Sequence, residues 1–161
     1  MSNKNDDSKL FEEFYIINAD ALDQTSSEIN AVLANPACNL EGFLSKLEGF
    51  KTRCKNLHWA APKNDVHVRL DEFLEYIDAF EDSIAEGTMG IIGKIGPNSV
   101  NGEQCDATNA QELAECIKSA TVEFYNTLPQ ETCWKGISSE VETFIQNLNK
   151  YTYLFSITDF R

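Results

Sequence analysis

Histidine is nearly absent from this chain: His58 and His67 are the only two in 161 residues. Basic residues are scarce too, thirteen Lys and Arg against 26 Asp and Glu, for a net charge of −13. Nonspecific nucleic-acid binding relies on Lys and Arg to neutralise phosphates, so this balance argues against it. Cations, metal ions included, are the more natural partners. The five cysteines, Cys38, Cys54, Cys105, Cys116 and Cys133, show no close spacing such as C-x-x-C, which argues against a thiolate zinc site or a disulfide scaffold. No apolar run approaches the roughly 20 residues of a bilayer span. The opening MSNKNDDSKLFEE lacks the basic-then-apolar layout of a signal peptide. The expectation is a soluble, cytoplasmic protein with no membrane partner.

Familiar catalytic motifs are missing as well. There is no HExxH, no GxSxG and no GxxxxGK[ST], the patterns of zinc peptidases, hydrolase elbows and phosphate loops. The glycines at 87–96 are irregularly spaced and follow no strand pattern. Lys55 and Asn64 stand three residues before the two histidines. The Glu-x-x-His pairs with which some helical bundles build a di-metal site inside one subunit are therefore absent.

What is present is helical periodicity in a chain long enough for one cored domain. Residues 1–37 read as an N-terminal extension, partly helical, in which Phe14-Tyr15-Ile16-Ile17 also suits a strand. Asn35-Pro36 punctuates it. Asn39 is a good N-cap for a first helix with Leu40, Phe43, Leu44, Leu47, Phe50, Cys54 and Leu57 on one stripe, ending near His58-Trp59. A second opens at Asn64 or Asp65 and carries Leu70, Phe73, Leu74, Ile77, Phe80 and Ile84. The Gly-rich stretch that follows is long for a connection, with a short helix expected around residues 89–95. A third helix runs from Thr108 or Asn109 to Leu128, before Pro129. Ser139-Glu140-Val141-Glu142 is a capping-box pattern for a fourth. The fold class expected is all-α: a four-helix bundle over residues 38–161 with a short helix in the middle connection.

The second helix has a distinctive polar face. At about 100° per residue, with His67 at zero, Asp71 falls at about 40°, Asp82 at about 60° and Glu86 at about 100°, with Glu75 and Asp78 in the same sector. The apolar set centres on nearly the opposite side. A charged face is ordinary on a soluble helix. However, like charges at i,i+4 oppose each other by a few tenths of a kcal/mol per pair, and no Lys or Arg intervenes between Arg69 and Lys94. Solvation and metal binding both stand as readings of this face. His58 lies within its helix's apolar arc, where a buried, hydrogen-bonded histidine is the usual case, and Trp59 reads first as packing.

The order His58-Trp59, then His67-x3-Asp71, then Asp82-x3-Glu86 resembles the ferroxidase signature of the Dps proteins, the miniferritins or DNA-binding proteins from starved cells. The resemblance extends to Gln111-Glu112-Leu113-Ala114-Glu115 and to Asn149-Lys150-Tyr151-Thr152-Tyr153-Leu154-Phe155, and covers roughly residues 38–158. It implies a ferritin-like subunit in a hollow dodecamer. It also implies a di-iron site shared across a two-fold interface, with His58, His67 and Asp71 from one subunit and Asp82 and Glu86 from its partner. Iron storage with ferroxidase activity is the implied function, peroxide the implied oxidant, and oxidative stress the implied setting. Trp59 would lie near that site, packing beside it or intercepting radicals, and Glu75 and Asp78 are accessory iron ligands or solvated acids. The turn between the histidines is a few residues shorter than the family's. The Lys-rich tail with which some members bind DNA is missing, so DNA compaction is the weaker expectation. A non-catalytic assembly protein on the same scaffold is the other alternative.

Overall fold

The structure, a computed structural model, describes residues 35–159. The expected extension over residues 1–37 lies almost wholly outside them. A single unit begins at Pro36, and four α-helices build it: α1, Pro36–Ala60; α2, Asn64–Ile92; α3, Ala110–Thr127; and α4, Lys135–Asp159. No strand occurs among the described residues, and none of these helices is long and apolar enough to cross a membrane.

The apolar stripes read from the sequence make the core. Leu40, Phe43, Leu44, Leu47 and Cys54 of α1 are buried with Leu70, Phe73, Ile77, Phe80 and Ile84 of α2. Leu113, Ile117, Ala120 and Phe124 of α3, with Val141, Phe144, Leu148 and Phe155 of α4, close it from the other side. Aromatic pairs set the register between helices. Phe43 stacks on Phe124 at 4.4 Å between centroids, Phe80 on Phe144 at 3.6 Å, and Phe43 meets Phe80 edge-on at 6.2 Å. Such contacts add about 0.5–1.5 kcal/mol each beyond simple area burial.

Helix α1 packs on α2 and α3, and α4 completes the ring by packing on the same two. His58 beside His67 makes α1 and α2 antiparallel. The chain after α2 then runs back along α1. Glu103 N–H donates to Ser45 O at 2.9 Å and Arg53 Nε donates to Ala107 O at 2.5 Å. Phe43 opposite Phe124 makes α3 antiparallel to α1, and Phe80 opposite Phe144 makes α4 antiparallel to α2. The result is two helical hairpins joined by one long crossover.

That crossover, residues 93–109, departs from the expectation of a short middle helix. Residues 89–92 continue α2, and Gly93 ends it with φ of 90° and its N–H on Met89 O at 2.9 Å. Only glycine adopts that φ without strain. Beyond it Gly96, Pro97 and Gly102 hold the segment irregular. The crossover lies so close to α1 that a Cβ on Gly49 would fall 1.7 Å from Glu103 O.

Two boundaries also shift. Helix α1 starts at Pro36 rather than at Asn39, because proline's fixed φ suits a first helical turn. Helix α4 starts at Lys135 rather than Ser139, continuing a 3-10 turn, Thr132–Trp134, whose Trp134 is buried. The cap at α3 is where the sequence puts it. Asn109 Oδ1 accepts from Glu112 N at 2.8 Å while Glu112 Oε2 accepts from Thr108 N at 2.7 Å. Hydrogen bonds from the Thr108 backbone N–H and then its hydroxyl favour the charged form and hold the Glu112 carboxyl below its usual range.

Candidate metal centre

His58 occupies the last turn of α1 and His67 the first turn of α2. A three-residue turn, 61–63, joins the helices. Both helix ends are tied locally, Ala61 N–H to His58 O at 3.2 Å and His67 N–H to Lys63 O at 3.1 Å. The short turn therefore does not separate the histidines. It draws their rings to 3.7 Å between centroids, with the planes tilted by 33°.

The two imidazoles hold each other through the main chain. His67 Nδ1 lies 3.0 Å from His58 O, and His58 Nδ1 lies 3.2 Å from His67 O. A carbonyl oxygen only accepts, so each Nδ1 carries the hydrogen and each neutral ring keeps its lone pair on Nε2. Histidine ligands in metal sites are commonly oriented in this way. Asp71, one turn along α2, places Oδ1 at 3.0 Å from His58 Nδ1. One donor atom from each of His58, His67 and Asp71 can be chosen so that all lie within 4.8 Å of one another. Both histidines are half-buried and Asp71 is exposed, which leaves the group open on the solvent side. His58 is thus hydrogen-bonded as its position in the apolar arc suggests, though less buried.

The remaining residues of the acidic face do not join this group within one chain. Glu75, Asp82 and Glu86 are exposed on α2 and, among the described residues, form no ion pair. Asp82 lies eleven residues beyond Asp71, about 16 Å along the helix axis. Asp78 differs from them: its Oδ1 is 2.9 Å from Lys51 Nζ on α1, so here it is a salt-bridge partner. Trp59 departs from the packing expected of it, with 74% of its surface exposed beside the histidine turn.

A second charged group went unread in the sequence. Lys51 Nζ contacts Glu48 at 2.9 Å, Asp78 at 2.9 Å and also Glu81, whose residue surface is only 7% exposed. Burial pulls the Lys51 pKa down, but hydrogen bonds to Glu81, Glu48 and Asp78 outweigh it and leave the pKa raised. Burial pushes the Glu81 carboxyl up, against the lowering effect of Lys51. By helical angle Glu81 belongs to the apolar side of α2, and that anomaly was the available signal.

Among the described side chains four thiols are free: Cys54, Cys105, Cys116 and Cys133. Cys54 is buried and its Sγ donates to Leu70 O at 3.5 Å. Desolvation, followed by the nearby charge of Asp71, pushes its pKa up to about 12. It is a core thiol and not a nucleophile at neutral pH. Comparison of the chain with family models, curated proteins and solved structures finds no match.

Proposed function

We propose that this chain is a Dps-like, ferritin-like subunit that oxidises Fe(II) and stores the ferric product within a shell of its own copies. The observation that carries the reading is the convergence of His58, His67 and Asp71 at the α1–α2 turn, with both rings oriented by main-chain carbonyls. Imidazole and carboxylate donors suit Fe(II), and the harder carboxylate oxygens suit the Fe(III) product. Iron is the substrate in this scheme. The Nε2 lone pairs and an Asp71 oxygen receive it. Asp82 and Glu86 of a second copy complete the site across a two-fold contact, for which their lack of ion pairs among the described residues leaves them available. The same contact would cover the exposed Trp59. Each Fe(II) gives one electron to peroxide, whose O–O bond breaks and takes up protons to give water.

A second reading draws on the same turn. Two histidines that clasp a tight turn through their own carbonyls need no metal, as in a non-catalytic assembly protein built on this scaffold.

Peroxide-driven Fe(II) oxidation by the purified chain decides between them. A fast ferric phase is expected in the native chain. Asp82→Ala combined with Glu86→Ala, and separately His67→Ala, should each slow it at least tenfold, as losses at metal sites commonly do. An unchanged rate in both variants sinks the site assignment. No fast phase and no stoichiometric metal in the native oligomer selects the assembly reading.

A further inference from the structure

Cys105 and Cys116 lie far apart in fold terms, one in the irregular crossover and the other inside α3, yet both line one cleft of about 330 Å³. Lys46, Phe50 and Ser119 help to form its walls. The register explains the meeting. The crossover climbs α1 from Ser45 to Arg53, and α3 descends the same helix, so positions 105 and 116 pass at the same level. Each thiol is half-buried. Cys105 also lies between the two points, Glu103 and Ala107, at which the crossover backbone is fastened to α1. Gln104, Cys105 and Asp106 form the short span between those points, and Cys105 lies near enough to Cys116 to act on its charge. A bridge requires Cα atoms about 4.4–6.8 Å apart.

We propose that Cys105 and Cys116 are a redox-active dithiol, which hydrogen peroxide converts to a disulfide that staples the crossover to α3. The reaction has two steps. The Cys105 thiolate attacks one peroxide oxygen, the O–O bond breaks, and Cys105 becomes a sulfenic acid as hydroxide leaves. The Cys116 sulfur then attacks the Cys105 sulfur, an S–S bond forms, and the sulfenic oxygen departs as water with the thiol proton. Both thiols are oxidised and one peroxide is reduced to two waters overall. The order of attack follows from the surroundings. Burial, then Cys105 itself, Glu112 and Glu115 push the Cys116 thiol upward, so it is the poorer first nucleophile. Lys46, the cation lining the cleft, is already paired with Glu123 at 2.8 Å. The dithiol reacts with peroxide directly. It needs no iron chemistry and stands or falls separately from the proposal above.

The sequence offers a direct assay. Residues 95–118 form one tryptic peptide that contains Cys105, Cys116 and no other cysteine. After reduction, peroxide treatment and alkylation of the full chain, this peptide should lose two hydrogens in mass and take up no alkyl group. Cleavage after Glu112 and Glu115 should leave its halves joined until a reductant is added. In Cys116→Ser, a sulfenic-acid probe should label Cys105; in Cys105→Ser, Cys116 should stay unlabelled. Exposed Cys133 serves as the reference thiol. Alkylation of both cysteines after peroxide, their separate oxidation to sulfinic acids, or a link from either to Cys133 overturns the dithiol. Equal labelling in the two variants overturns the order of attack.

Discussion

Lys51 holds three carboxylates, and water reaches Glu81 least of the three. Replacing Lys51 by methionine keeps the length of the stem but leaves a buried carboxylate without its cation. A fully buried pair broken in this way costs about 3–5 kcal/mol. Here Glu48 and Asp78 face solvent, and we expect Lys51→Met to cost about 2 kcal/mol in denaturant unfolding. A second change, Glu81→Leu, should recover most of the loss; no recovery would mean that the Lys51 stem, and not its charge, is what matters. The folded pKa of Lys51 stands above the ordinary lysine value of 10.5. Its contribution is then complete below that value and is lost as pH rises through the folded pKa. The stability difference between native chain and Lys51→Met should accordingly be flat from pH 7 to about pH 10 and shrink at higher pH. Lys51 does not stand out in the sequence and Glu81 does so only by its helical angle, because helical spacing compares residues of one helix and this cluster spans two. The His58, His67 and Asp71 group is more legible: scarcity marks the histidines, and one-turn spacing ties Asp71 to His67. Their mutual carbonyl contacts are not legible, since these depend on how tightly the turn closes.

The elements themselves were largely readable, since a stripe of Leu, Ile and Phe at steps of three and four states which face is buried. Each fully buried side chain of this kind contributes about 1.5–3 kcal/mol, which outweighs local preferences. The crossover was the part that could not be read. Its glycines announce irregular chain, but its path is fixed by α1, through Ser45, Gly49 and Arg53, none of which is marked in sequence. Gly49 makes the sharpest test. In a solvent-facing helix Gly→Ala stabilises by about 1 kcal/mol. At Gly49 the added Cβ meets backbone at 1.7 Å, so Gly49→Ala should instead destabilise by about 1–3 kcal/mol. Gly42, with open space around it on the same helix, is the control and should follow the helix rule. If thermal unfolding shows the two variants equally stabilised, the crossover does not rest on α1 as described.

At the scale of the whole molecule, a charge of −13 on an 18.1 kDa chain discourages contact between copies unless cations intervene. The face bearing Glu75, Asp82 and Glu86 is the extreme case, because no ion pair among the described residues neutralises those three. If that face meets the histidine turn of another copy, assembly should be metal-assisted. Sedimentation should then give a larger mass with Zn(II) or anaerobic Fe(II) than with a chelator, and Asp82→Ala with Glu86→Ala should abolish the difference. An 18.1 kDa species under both conditions would rule out the shared site. The topology has a further consequence, for how the chain folds. The turns within each hairpin are short and close quickly, whereas every contact of α3 with α1, and of α4 with α2, must await closure of a loop that includes the crossover. The hairpins can form independently, but neither completes its core alone, and docking them is the slow, cooperative event. The crossover settling over Gly49 would then act as a late latch that governs how fast the assembled bundle comes apart.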